Sequence, residues 1–406
     1  MPARYVACPA STDEASALLR AAAGLSLTIV ARGSGRRQHW GNPPANCDLI
    51  IDTRNMNKVV EHAAGDLIVT AQAGVRLPDL QEVTAAASQH LAIGPRTTAE
   101  GGTVGGLIAT NAADSWRYRY GAPRDLLIGI TVVLADGTVA RSGGKVVKNV
   151  AGYDLGKLFA GSYGTLGLIT EATFRLHPKP VTATWLSVNC PDPETAAKTV
   201  RTMSDMPLAP SAVDLSWPAA EAPLTVSVLL EGDEPSVNRR LDRMRECLDR
   251  ELPGGEPAVG PFSPARPPAD DRELAEAGGA SIRVAFWVGQ LARVLNLIRT
   301  AAVANELDPA IEGSAGAGVL HVAVPADAAA DAVARFVTEL RAGLASLSAG
   351  TVLPSTASAV VVYAPPDVRN AVDLWGPVPS PGLMRAVKDQ FDPEHRMAPG
   401  RLAGGI

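Results

Sequence analysis

Short apolar runs separated by polar and glycine-rich turns fill the first 176 residues. Beyond them, strand-length apolar runs alternate with long amphipathic patterns. Ser11 and Glu14 stand three apart before an Ala/Leu-rich stretch, the spacing of a capping box, and predict a helix over residues 15–23. An apolar run at 27–31 reads as a strand that enters Arg32-Gly33-Ser34-Gly35-Arg36. Further strands are predicted at 48–52, 59–62 and 67–72, and a helix at 77–88. Runs at 126–134 and 139–142 flank Ala135-Asp136-Gly137-Thr138, a hairpin signal, and another strand covers 168–176. His177-Pro178-Lys179-Pro180 punctuates the chain and sets a first boundary at 179. Strands then follow at 185–189, 212–215, 224–230, 282–288, 319–324 and 359–363. Between them lie helices at 193–204, 235–250, 291–305 and 327–347. That alternation predicts helices laid on one face of a sheet. Residues 253–270, rich in Pro and Gly, read as a surface loop. A helix at 382–391 precedes a short tail, and no repeat of 20–50 residues is found.

Composition narrows the classes. A chain of 406 residues is long enough for two or three domains and an unstapled core. The net charge of -5 offers no basic field, which argues against a nucleic-acid partner. Cys8, Cys47, Cys190 and Cys247 are scattered, with no CxxC and no Cys/His cluster, so neither an iron–sulfur cluster nor a metal site is expected from this chain. The start of the chain has no signal-peptide pattern, and no apolar run reaches membrane-spanning length. The expectation is a cytoplasmic chain that meets a membrane only through partners.

Three glycine-rich stretches carry the candidate chemistry. In Arg32–Arg36, glycines after a strand let backbone N–H groups converge on an anion, and two arginines add permanent charge suited to a pyrophosphate. A solvated surface turn is the plain alternative. Gly101-Gly102-Thr103-Val104-Gly105-Gly106 reads as a loop entering a helix, with orphan N–H groups aimed at a ligand. Four glycines in six residues are costly in entropy, and a structural turn needs one or two. The third stretch, Gly161-Ser162-Tyr163-Gly164-Thr165-Leu166-Gly167, superficially matches a hydrolase nucleophile elbow. That elbow needs a strand before its serine and a helix after it; here the order is reversed, so close backbone approach to a cofactor fits better. No GxGxxG in a βαβ setting and no GxxxxGK[ST] occurs, which disfavours Rossmann and P-loop sites.

Taken together, these stretches resemble the FAD-binding domain of the vanillyl-alcohol-oxidase/PCMH superfamily, and within it the family of FAD-binding subunits found in bacterial glycolate oxidases. The matching residues also include Tyr120-Gly121-Ala122-Pro123-Arg124-Asp125, the run Lys145-Val146-Val147-Lys148-Asn149-Val150-Ala151-Gly152-Tyr153-Asp154-Leu155, and the tail Phe391-Asp392-Pro393 with Pro399-Gly400-Arg401. The resemblance covers residues 1–180 and the tail and is thin over 181–370. It implies an α+β fold: a two-subdomain PCMH-type FAD-binding domain over 1–179, a ferredoxin-like α+β domain over 180–375, and a segment over 376–406 that returns to the flavin domain. It further implies FAD held non-covalently. Arg32, Gly33, Ser34, Gly35 and Arg36 would wrap the pyrophosphate. Gly101, Gly102, Thr103, Val104, Gly105 and Gly106 would lie along pyrophosphate and isoalloxazine. Gly161, Gly164, Gly167 and Ile169 would approach adenosine and ribitol, and Pro95, Asn111, Gly121, Arg124 and Asp125 complete the expected set. Relatives that attach flavin covalently carry a histidine directly after the first glycine run; here Arg36 holds that place and His39 comes three residues later.

Whether this chain also catalyses is a separate matter. Oxidising a 2-hydroxy acid on a flavin needs a base for the hydroxyl proton and a cation for the carboxylate. Catalytic relatives carry a Gly-His-x-Gly-Asp-Gly-Asn-x-His run; this sequence has Gly313-Ser314-Ala315-Gly316-Ala317-Gly318-Val319-Leu320-His321, in which Ser314 replaces the first histidine, Ala317 the acid and Val319 the amide, leaving His321 alone of the polar side chains. Met397-Ala398-Pro399-Gly400 likewise stands where Leu-Asn-Pro-Gly is usual, removing a polar side chain from a position expected to face the flavin. The resemblance therefore implies an FAD-binding subunit of a glycolate-oxidase-like 2-hydroxy-acid dehydrogenase, working with a catalytic flavin subunit and an iron–sulfur subunit on an acid such as glycolate or D-lactate. A stand-alone FAD-dependent oxidoreductase acting on CH–OH donors, with His321, Tyr118 or His395 as base, is the alternative. A flavin-bearing interaction scaffold is a third.

Overall fold

The structure, a computed structural model, describes residues 3–145, 153–251, 258–260, 279–347 and 357–406. Residues 146–152 of the longest matching run, and most of the loop predicted over 253–270, lie outside the described residues. Two compact units emerge. One comprises Met1–Asp114, Tyr120–Lys179 and Val378–Ile406; the other comprises Ser115–Arg119 and Pro180–Pro377. No helix among the described residues is long and apolar enough to cross a membrane.

The first unit holds two main sheets. A three-stranded parallel sheet runs Tyr5–Ala7, Leu49–Asp52, Ile29–Arg32. The helix Thr12–Gly24 buries Ala15, Leu19 and Ala22 in a cluster with Ile29, Leu49 and Ile51 of that sheet. Ser11 Oγ accepts from Glu14 N at 3.1 Å. The Glu14 carboxylate accepts from Ala10 N at 2.9 Å rather than from Ser11 N, so the capping box closes one residue early. The second sheet is antiparallel, in the order Val59–Ala63, Ile68–Gln72, Leu168–Arg175, Leu127–Val133, Val139–Gly143. Pro123 starts a one-turn helix, Pro123–Leu126, that takes the first residue of the strand predicted over 126–134. His177–Pro178, read as a boundary, pairs with Gln89–His90. The carboxy-terminal tail returns to this unit. Ile29 N donates to Arg396 O at 2.8 Å and Ala398 N to Ile29 O at 2.7 Å, extending the parallel sheet beyond Ile29–Arg32.

The second unit is one eight-stranded antiparallel sheet built from two β-α-β-β-α-β halves. The first half runs Thr182–Cys190, Pro193–Asp205, Ala212–Trp217, Leu224–Gly232, Glu234–Glu251, Ala258–Gly260. The second runs Ala280–Ala285, Leu291–Ala304, Ala310–Ser314, Val319–Val324, Ala330–Ser346, Ser358–Tyr363. Each half has its fourth strand outermost, then its first, third and second, and the two second strands pair where Leu215 meets Gly313. Both halves are therefore ferredoxin-like, and the duplication escapes a search for short repeats because its unit is a whole domain-sized motif. Two strands correct the sequence reading. Ala258–Gly260, inside the predicted loop, pairs with Trp185–Ser187. Ala310–Ser314, in which Glu312 and Gly313 break the apolar run, pairs on both sides. The helices cover one face, burying Val200, Leu241, Leu295 and Phe336 against Val226, Val228, Ile282 and Val322. The other face carries polar side chains such as Ser187 and Ser227, whose hydroxyls bond at 2.9 Å, and buried Asp214, Glu231 and Glu312.

Candidate functional site

The first unit contains a half-open cavity. Of the predicted residues, Arg32, Gly33, Ser34, Gly35, Arg36, Gly102, Thr103, Gly105, Gly106, Gly164, Gly167 and Ile169 line it. The three glycine-rich stretches, far apart in sequence, thus meet at one place. The contact between the first two is direct: a Cβ on Gly33 would run into the Thr103 side chain, so only glycine lets the loops close. Pro95, Gly101, Val104, Asn111, Gly121, Arg124, Asp125 and Gly161 do not line the cavity. Several of them have local structural work instead. Asp125 accepts from Ala122 N at 2.8 Å, and Asn111 Oδ1 accepts from Arg124 N at 3.1 Å. Pro95 opens a short helix, Pro95–Ala99. The lining residues absent from the sequence reading include Arg37, Gln38, Thr53 and Ala73, while Tyr163 and Arg401 fall inside the matching motifs without a role of their own. Arg401 lies in the tail marked by the resemblance, which is the one signal available for it.

The second glycine stretch corrects an expectation. Residues Val104–Thr110 form the predicted helix, but its first N–H groups are not free for a ligand. Val104 N donates to Val75 O at 3.0 Å, Gly105 N to Ala73 O at 2.8 Å, and Gly106 N to Thr103 Oγ1 at 3.4 Å. The protein itself caps this end. By contrast, among the described residues the N–H groups of Ser34, Gly35 and Arg36 donate to no protein acceptor. Arg32 and Arg36 form no ion pair among the described residues, whereas Arg37 pairs with Glu100 and lies over the Trp40 ring at 5.2 Å. Free N–H groups beside two unpaired guanidinium groups suit an anion of the pyrophosphate type.

The glycines bear on whether a flat, extended cofactor fits. Gly106 has ordinary helical geometry, and a Cβ there would meet only Thr103 Oγ1 at 3.4 Å. A Cβ on Gly164 would meet only Ala31 Cβ at 3.9 Å, but its φ of 78° calls for glycine there on its own account. The protein's own packing leaves room for a side chain at Gly106, and glycine in a helix costs up to about 1 kcal/mol relative to alanine. A group lying against the backbone accounts for the missing side chain. The residues present therefore fit a dinucleotide.

Around the cavity, Arg401 is buried and donates to Gln38 O at 2.9 Å and Trp40 O at 3.3 Å, bracing the segment that follows the first glycine loop. Burial pulls its pKa down, though a guanidinium stays charged. His39, next in line to Arg36 as an attachment point, does not line the cavity. Ser162 is buried, preceded by the helix Leu155–Phe159 and followed by the strand Leu168–Arg175, which is the order opposite to a nucleophile elbow. Nor does Ala398 line the cavity; it is buried in the left-handed region at φ 42°, a conformation better suited to Asn or Gly.

The three candidate bases fall in both units. His395, in the first unit, does not line the cavity; it is exposed and bonds Asp389 Oδ1 at 2.8 Å. His321 and Tyr118 belong to the second unit. His321 lies on Val319–Val324, opposite Glu312 on one side and Arg283 on the other. Tyr118 packs on Gly316, where a Cβ would approach its ring to 2.7 Å. Residues 315–318 are the connection between the paired strands Ala310–Ser314 and Val319–Val324. Among the described residues, no group of three or more His, Cys, Asp or Glu side chains is placed to hold a metal ion.

Comparison with known proteins names the class. Residues 3–143 match the family model described as FAD binding domain. FAD is the cofactor that this match supports. Among curated proteins, the chain is 39% identical over 201 residues to glycolate oxidase subunit GlcD of Bacillus subtilis, covering 49% of this chain and 42% of that protein. It is 37% identical over 193 residues to the D-lactate dehydrogenase of Archaeoglobus fulgidus, covering 47% and 43%. It is 35% identical over 152 residues to glycolate oxidase subunit GlcE of Escherichia coli, covering 37% and 43%. The matches therefore span less than half the length of these relatives. Among solved structures, p-cresol methylhydroxylase aligns over 98% of this chain and 88% of its own, with a TM-score of 0.76 at 17% identity. Alkyldihydroxyacetonephosphate synthase aligns over 98% and 77%, with a TM-score of 0.70 at 16% identity. At such identities the likeness is one of fold.

Proposed function

We propose that this chain binds FAD non-covalently in the cavity lined by the three glycine-rich stretches, and serves as an FAD-binding subunit of a glycolate-oxidase-like 2-hydroxy-acid dehydrogenase. The observation that carries the binding mode is the pairing of free N–H groups at Ser34, Gly35 and Arg36 with the unpaired Arg32 and Arg36. Those groups hold the pyrophosphate, while the bare backbone at Gly106 and Gly164 lets the flat parts of the cofactor approach. Arg36 in place of a histidine, with His39 off the cavity, favours a non-covalent link. Bound FAD supplies a two-electron acceptor for a hydride from a hydroxyl-bearing carbon. The roles of the protein's residues are to bind and orient it and to keep water from it.

The subunit reading draws on the names of the relatives, two of them glycolate oxidase subunits and one a D-lactate dehydrogenase. It also draws on Ser314, Ala317 and Val319, which replace the side chains that catalytic relatives use, and on His395, which lies off the cavity. The electrons then come from, or go to, a catalytic flavin subunit and an iron–sulfur subunit. The test starts from the purified chain. Its absorbance should show flavin that is released into solution by denaturation; flavin that stays with the precipitated protein would overturn the non-covalent link. Under anaerobic conditions, glycolate or D-lactate should leave the flavin of the isolated chain oxidised. Bleaching by either acid without partners would overturn the subunit reading in favour of a stand-alone oxidoreductase.

A further inference from the structure

Lys388 is fully buried, on the helix Pro381–Phe391. Buried lysines are rare unless every proton of the ammonium group is used. Here all three are. Nζ donates to Thr165 O at 2.7 Å, to Asp392 Oδ2 at 2.7 Å and to Met397 O at 2.8 Å. Asp392 is fully buried too, and its carboxylate also accepts from Met397 N at 2.7 Å and Arg396 N at 3.1 Å. A buried ion pair is a poor way to add stability, because apolar side chains of the same volume ordinarily do as well or better. What the pair accomplishes, and apolar residues cannot, is to tie four backbone points together: Thr165 O, Met397 O, Arg396 N and Met397 N.

Thr165 O belongs to the third glycine stretch. Tyr163, Gly164 and Gly167 of that stretch line the cavity. The turn is strained at Tyr163, a bulky residue at φ 54°, which Gly164 follows at φ 78° without strain. Such conformations persist only where the surroundings hold them. At its start, Tyr163 N donates to Ala109 O at 2.8 Å and Gly161 N to Ile108 O at 3.0 Å. At its end, the anchor is Lys388, 223 residues further along the chain.

We propose that Lys388, held by Asp392, is a positioning residue for FAD. It fixes the turn at Thr165 so that the backbone of Tyr163–Gly167 presents itself to the cofactor, and it thereby couples the folding of the carboxy-terminal tail to cofactor affinity. This rests on reading the cavity as the FAD site. The coupling is reciprocal, so FAD binding must in turn steady the tail.

The test is the paired substitution Lys388→Met with Asp392→Asn in the full chain, which removes both charges while leaving an acceptor for Met397 N. FAD affinity, measured by quenching of flavin fluorescence, should fall at least about tenfold, and the visible circular dichroism of the bound flavin should change, in a variant whose apoprotein still melts cooperatively. Affinity and flavin dichroism within twofold of the parent would overturn the proposal and leave the pair a purely structural staple. A parent chain that binds no FAD would instead sink the reading of the cavity itself. Should the double variant fail to fold, hydrogen exchange on the parent decides. Added FAD should slow exchange at the Arg396 and Met397 amides together with those of Tyr163 and Thr165; protection confined to the turn would overturn the coupling.

Discussion

Substituting Gly106 separates two effects that ordinarily move together. Its Cβ would meet only Thr103 Oγ1 at 3.4 Å, which is ordinary contact, and its backbone is helical. Gly106→Ala should therefore stabilise the apoprotein by about 0.5–1 kcal/mol, through lower chain entropy in the unfolded state and better helix propensity. For a unit of this size that is a rise in melting temperature of roughly 1–4 °C. On the proposed reading of the cavity, which Gly106 lines, the same methyl group meets the cofactor. Overpacking a tight contact by one carbon costs about 1–3 kcal/mol, so FAD affinity should fall roughly 5- to 150-fold. The assay is thermal unfolding of the apoprotein beside a flavin-fluorescence titration at one ionic strength. A variant that melts higher and binds FAD as tightly as the parent would refute the assignment of Gly106 to the cofactor surface. A variant that melts lower would refute the claim that nothing in the protein itself requires glycine there.

Two further outcomes follow from other parts of the first unit. Ala398, buried at φ 42°, tolerates left-handed geometry only because its side chain is small. Ala398→Val should cost about 2–3 kcal/mol, while Ala398→Gly stays within about 1 kcal/mol because relieved strain offsets lost packing and entropy; equal melting temperatures for the two variants would contradict this. His90, whose partner across the short sheet is His177, is held at a pKa of about 4, below its ordinary 6.5, by burial first and then by His177 and Lys179. Below pH 6.5 the unfolded chain takes up a proton that the folded chain refuses, so stability is complete above the unfolded value and is lost as pH falls toward the folded one. Between pH 7 and pH 5 the loss should be about 2 kcal/mol. His90→Gln should flatten the melting-temperature profile over that interval, and an unchanged slope would show that other groups set it.

Most of the regular elements are legible in the sequence because their signals are local. Ser11 and Glu14 mark a helix start, Asp136-Gly137 marks a hairpin, and long amphipathic stretches mark the helices of the second unit. Ala310–Ser314 and Ala258–Gly260 escape such a reading because neither run carries its own pattern; pairing with neighbours makes them strands. The duplication escapes it too, since two ferredoxin-like halves share topology rather than a short period.

For the site, the sequence determined which residue types were available: glycines dense enough to bare the backbone, and arginines beside them. Their chemistry as a set points to a phosphate-bearing cofactor before any coordinates are seen. Only the tertiary structure decided which of their groups remain free. The N–H groups of Gly105 and Gly106 go to Ala73 and Thr103, while those of Ser34 to Arg36 do not go to protein. The tertiary structure alone also made Lys388, an ordinary residue in a predicted helix, into a fully buried tie to Thr165. Burial and long-range hydrogen bonds depend on which distant segments pack together, and no local pattern in the sequence encodes that.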